Sequence, residues 1–107
     1  MSCVTNVILT FSVLEDDEER IKDVNKFFEN GTTIVSCDDN KLERGWYGGT
    51  KMLETNVCIG AYNYLPLESF KNHIKKIKWD YSEDVQLIVQ EQDESRFRLY
   101  NFESLEV

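Results

Sequence analysis

The chain holds one proline, one histidine and three cysteines among its 107 residues, and each shortage narrows what the protein can be. A lone histidine, His73, does not furnish a histidine-rich metal site, and no Cys-x-x-Cys or His-x-x-x-His spacing occurs. Asp38-Asp39-Asn40 lacks the alternate-residue spacing of a calcium loop, so neither a metal nor a cofactor is expected. An odd number of cysteines argues against a disulfide framework. Cys3, Cys37 and Cys58 are expected as thiols in a reducing compartment, the cytoplasm.

Long apolar runs are missing too. A membrane span needs about 18 apolar residues, whereas residues 4–13 are fewer and are interrupted by Thr5, Asn6, Thr10 and Ser12. They also lack the basic flank of a signal sequence, so no membrane partner is expected. Cations are scarce: 12 Lys and Arg against 20 Asp and Glu leave a formal charge of -8, a field that repels phosphate backbones and anionic lipid. Nucleic acid is therefore not an expected partner. The acidic surplus favours solubility and would speed association with a basic protein.

What remains is enough for a single domain over residues 1–107, able to bury about two-thirds of the surface of its unfolded form around one core. Along residues 3–13, Cys3, Val7, Leu9, Phe11 and Val13 alternate, with Val4 and Ile8 on the other face, the pattern of an inner strand. Five consecutive acids, residues 15–19, precede Ile21, Val24, Phe27 and Phe28 at helical spacing. Asp16 is placed to cap this helix with Glu19 paired to it, the acids suit the helix dipole, and Gly31 stands where a terminating glycine would. A metal or basic-partner site is the alternative use of the acids, but adjacent carboxylates point around a helix rather than converging.

Residues 32–37 form a short β-branched run suited to a second strand, and residues 51–62 a third, with Val57, Ile59 and Ala61 alternating against Asn56, Cys58, Gly60 and Tyr62. Pro66 can open a second helix carrying Leu67, Phe70, Ile74 and Ile77 as its apolar stripe, with Lys71, Lys75, Lys76 and Lys78 off it. Val85, Leu87 and Val89 mark a fourth strand. A turn at residues 92–95 leads to a fifth, in which Phe97 and Leu99 are expected inward and Arg96 and Arg98 outward. Residues 101–107 show no period and read as a frayed tail or a short edge segment.

The order β-α-β-loop-β-α-β-β fits an α+β domain of the ferredoxin-like, split βαβ type with an added C-terminal hairpin strand. Two helices then cover one face of an antiparallel sheet. The other face is solvated or covered by a partner, and by analogy of fold a second copy of the chain, forming a homodimer, is a frequent solution.

The stretch between the second and third strands is the segment this fold does not need, and it concentrates Arg44, Trp46, Tyr47, Gly48, Gly49 and Lys51. Trp, Tyr and Arg are residue types enriched at protein-binding hot spots, and Gly48-Gly49-Thr50-Lys51 has the ingredients of an anion nest. A structural lid with Trp46 folded onto the core is the competing reading. The glycines lack P-loop spacing and lead into a strand rather than a helix.

Cys58 and His73 are the reactive groups an enzyme would use, although no nucleophile elbow or similar signature accompanies them. Tyr62, Tyr64 and Tyr100 are aromatics that an RNA-stacking sheet would present, without the basic-Gly-aromatic order that accompanies such use. The expectation is a small acidic cytoplasmic module, accessory, inhibitor or immunity-like, that acts by protein contacts without catalysis. The alternative is an enzyme or sensor whose Arg44 to Lys51 loop closes over an anionic or aromatic small molecule.

Overall fold

In a computed structural model, which describes residues 3–29 and 31–105, the chain forms an α+β fold with two helices and a five-strand antiparallel sheet. The elements in order are β1 (Val4–Phe11), α1 (Asp17–Asn25), β2 (Val35–Ser36), β3 (Asn56–Asn63), α2 (Leu67–Lys76), β4 (Gln86–Gln90) and β5 (Arg98–Asn101). Short 3₁₀ turns occupy Ser82–Asp84 and Phe102–Leu105. The sheet order is β2-β3-β1-β4-β5, which places β1 at the centre as its two-sided pattern predicts.

Side chains on a strand alternate between faces, so the pairing register decides which residues meet the helices. Val7, Leu9 and Phe11 of β1 are buried and lie opposite Gly60, Cys58 and Asn56 of β3; Val7 and Leu9 also face Val89 and Leu87 of β4. Against this face pack Val24 of α1 and the Leu67, Phe70 and Ile74 stripe of α2, forming one buried cluster. Gly60 has a packing reason: a side chain there would collide with Tyr62, whose ring lies over it while its hydroxyl donates to the Thr33 carbonyl at 2.9 Å.

Several expectations change. The β-branched run at residues 32–37 is strand only at Val35 and Ser36, with the Cys37 amide adding a bond to the Val57 carbonyl at 2.8 Å. It starts late because Ile34 is drawn into the core, where the Asn25 side chain accepts its amide at 2.8 Å. Helix α1 is capped by Asp16 as expected, with Oδ1 accepting the Glu19 amide at 3.3 Å. It ends at Asn25, well before Gly31, which holds a left-handed turn at φ +78° instead. Phe27 and Phe28, beyond the helix, join an aromatic cluster with Phe70 and Tyr62.

The fifth strand is inverted relative to its predicted orientation. Tyr100 pairs with buried Leu87 and lies on the helix side, which turns Phe97 and Leu99 outward at 46% and 56% exposure. Arg98 accordingly lies on the helix side, held by Glu91 and Glu94. The segment after β5 is anchored as far as it is described: Leu105 is fully buried, and residues 106–107 lie outside the described residues. Lysines tie helix α2 to β5 and to this segment, since Lys71 Nζ sits 4.3 Å from the Tyr100 ring centre and Lys75 Nζ 4.0 Å from that of Phe102. Among the described residues no helix is long and apolar enough to cross a membrane.

Candidate functional site

The loop between β2 and β3 is built around its own aromatics. Trp46 donates its indole N–H to the Cys37 carbonyl at 2.7 Å, and Tyr47 donates its hydroxyl to Asp38 Oδ1 at 2.8 Å while accepting the Leu53 amide at 3.2 Å. The two rings meet edge to face with centres 5.9 Å apart. Gly45, Gly48 and Gly49 all take positive φ, so their type is required by the path of the chain. The polar tips that could have met a ligand are therefore engaged within the loop.

The cleft beside these residues, about 330 Å³, is lined by Arg44, Trp46 and Tyr47 but also by Asp38, Asp39 and Glu43. Three carboxylates oppose an anion there. Gly48, Gly49 and Lys51 do not line this cleft; Arg44 and Lys51 are exposed and form no ion pair among the described residues. The six loop residues thus separate into two anchors, a set of backbone hinges and two solvated cations. Sequence composition alone cannot make that division.

Cys58 and His73 lie apart in role. The Cys58 thiol is fully buried on the helix side of β3, and burial, with Cys37 and Asp17 adding to it, pushes its pKa up to about 12. A thiol held neutral in this way is a poor nucleophile. His73 engages the Asp23 carbonyl through Nε2 at 2.8 Å and packs on Phe27, joining α2 to the last turn of α1. It lines an open cleft of about 500 Å³ between the helices, together with Arg20, Asp23, Lys26, Lys76 and Asp80, where both signs of charge alternate. Cys58 is not among the residues of that cleft. Among the described residues no three His, Cys, Asp or Glu side chains are grouped to hold a metal ion.

One polar centre was not legible in the sequence. Glu15, the first of the acidic run, is buried rather than solvated: Oε1 accepts Arg20 Nε at 3.1 Å and the Asp80 amide at 3.2 Å, and Oε2 accepts the Tyr81 amide at 2.7 Å. Burial works against the Arg20 charge, but the bond and charge of Glu15, with Asp80 and Asp23, outweigh it and leave the guanidinium pKa raised. Every oxygen of Glu15 is satisfied, so this centre joins α1 to the chain before β4 and offers no free group to a substrate.

The sheet face away from the helices has a different character. Register aligns Val35, Ile59, Ile8, Ile88 and Leu99, one from each strand, in a continuous apolar row across the whole sheet. Beside it run two neutral rows, Ala61-Asn6-Gln90 and Val57-Thr10-Gln86-Asn101. Their amides are bonded in ladders, Asn6 Nδ2 to Gln90 Oε1 at 3.2 Å and Gln86 Nε2 to Asn101 Oδ1 at 3.0 Å. The described strand positions on this face carry no Asp, Glu, Lys or Arg, in a chain that is 30% charged. Tyr62 and Tyr100 lie on the opposite, helix side, so the aromatic platform that base stacking would use is not formed from them.

No family model, curated protein or solved structure matches this chain.

Proposed function

We propose that the protein is a non-catalytic docking module of the ferredoxin-like type that works by protein contact through its uncharged sheet face. The order β2-β3-β1-β4 with antiparallel pairing, and β5 added beside β4, supports the split βαβ assignment. The observation that carries the functional reading is the apolar row from Val35 to Leu99 on a face without charge. Such depletion of charge around a central apolar strip is the compositional mark of an interface core. An accessory, inhibitory or immunity-like role in the cytoplasm fits a module of this kind.

The loop reading, in which an anionic or aromatic compound sits against Arg44, Trp46 and Tyr47, has less to support it because both aromatic tips are engaged and carboxylates line the cleft. A photo-crosslinking residue in place of Leu99, compared in cells with one in place of Trp46, separates the two surfaces. Protein adducts formed from position 99 are expected. Adducts from position 46 alone, or from neither, would overturn the assignment.

A further inference from the structure

The docking face is suited to a particular occupant. We infer that it pairs with the same face of a second copy of this chain, an inference that rests on the docking reading above and names its partner. Charge favours this face. Each copy carries -8, so contact through most of the surface brings like charges together, whereas the sheet face brings none.

The face is also chemically self-complementary. A two-fold interface sets one patch against itself, so the patch must accept its own chemistry. An apolar row flanked by amides does so, because an amide is both donor and acceptor. Sheets that face one another pack with strands roughly aligned and about 10 Å apart. A two-fold axis between them, parallel to β1, sets Ile8 against its own copy, Ile59 against Ile88 and Val35 against Leu99, as the strand order and register require. Asn6 then meets its own copy, while Gln90 and Gln86 meet Ala61 and Val57.

Area sets the strength. The five strands hold 27 residues, which at about 3.3 Å of rise each and about 4.8 Å between strands present about 430 Å² per copy, about 900 Å² in all, the range of weak, transient contacts. The dimer is therefore reversible and concentration-dependent. Its salt response is distinctive: screening relieves the repulsion between two acidic copies and leaves apolar contact intact, so added sodium chloride tightens it. A basic partner would respond in the opposite direction.

Sedimentation equilibrium of the purified full chain at low and high sodium chloride tests this. A monomer–dimer equilibrium that shifts toward dimer with salt is expected, and Ile59→Lys with Leu99→Lys should weaken it at least about tenfold by setting unpaired charges in the contact. Trp46→Ala should leave it unchanged. Should the lysine variants fail to fold, concentration-dependent amide shifts in the unsubstituted protein read the same surface, and they should centre on Ile8, Ile59, Ile88 and Leu99. A chain that stays monomeric throughout overturns self-association, as does a dimer indifferent to both lysines or shifts confined elsewhere. A monomer whose position 99 still crosslinks another protein keeps the docking reading and removes only the second copy.

Discussion

Glu15 and Arg20 form a buried ion pair, Oε1 to Nε 3.1 Å, with side-chain exposures of 0% and 10%. The pair closes the start of α1 onto the connection before β4, because the same carboxylate holds the Asp80 and Tyr81 amides. Removing Glu15 leaves Arg20 only Asp23 at 3.2 Å and Asp80 at 3.6 Å and deprives the Asp80 and Tyr81 amides of their acceptor, a loss of about 3 kcal/mol. Glu15→Ala should therefore lower the thermal midpoint by more than about 10 °C in a domain of this size. Glu18→Ala, exposed in the same acidic run, should cost less than about 1 kcal/mol as a loss of dipole and surface charge only. Equal losses in thermal unfolding would mean that the buried pair has no special weight.

Gly60 and Tyr62 test the packing of β3. A methyl group at position 60 meets the Tyr62 ring and hydroxyl, so Gly60→Ala must displace the ring and its bond to the Thr33 carbonyl. Overpacking of this kind costs about 1–3 kcal/mol, whereas Tyr62→Phe, which removes only the hydrogen bond, should cost about 1 kcal/mol. In a Tyr62→Leu background the Gly60→Ala penalty should shrink, since the obstructing ring is gone. Denaturant unfolding of the four proteins forms a double-mutant cycle, and additive losses would separate the two positions.

How far the sequence reaches is visible in these same elements. The central strand, the Leu67, Phe70 and Ile74 stripe of α2 and the Asp16 cap follow from periodicity and capping chemistry, and the structure has them, whereas α1 ends at Asn25 and leaves Phe27 and Phe28 of its predicted stripe beyond the helix. Alternation in residues 96–100 was equally plain, yet alternation defines two sets of side chains without saying which faces the core. Pairing of Tyr100 with Leu87 decides that, and pairing is not local. The burial of Glu15 was hidden for a related reason: its partners Asp80 and Tyr81 stand 65 and 66 residues away. The five-residue apolar row is also non-local, since each strand contributes a single residue to it.

The loop makes a third test. Tyr47 is a hub whose hydroxyl joins Asp38 to the Leu53 amide across a segment with no regular structure. Tyr47→Phe should speed hydrogen exchange at Leu53 while lowering global stability by less than about 1 kcal/mol, because a loop opens locally without unfolding the core. A large global loss would place the loop within the cooperative core.

Cys58 ties the fold to pH. Its folded pKa, about 12, lies above the ordinary 9.0, chiefly through burial, so the fold favours the neutral thiol. The sign follows from linkage: the unfolded chain releases this proton first, so the contribution is whole below about pH 9 and is lost as pH rises toward 12. Tyr62, raised in the same direction by burial, extends the loss at higher pH. Unfolding free energy should decline above about pH 9, and Cys58→Ala should flatten the first part of that decline while lowering stability at neutral pH through the cavity it leaves. Thiol labelling gives an independent reading, because exposed Cys3 should react at once and Cys58 only as fast as the sheet opens. Equal labelling rates for Cys3 and Cys58 in the folded protein would contradict the burial on which this pH dependence rests.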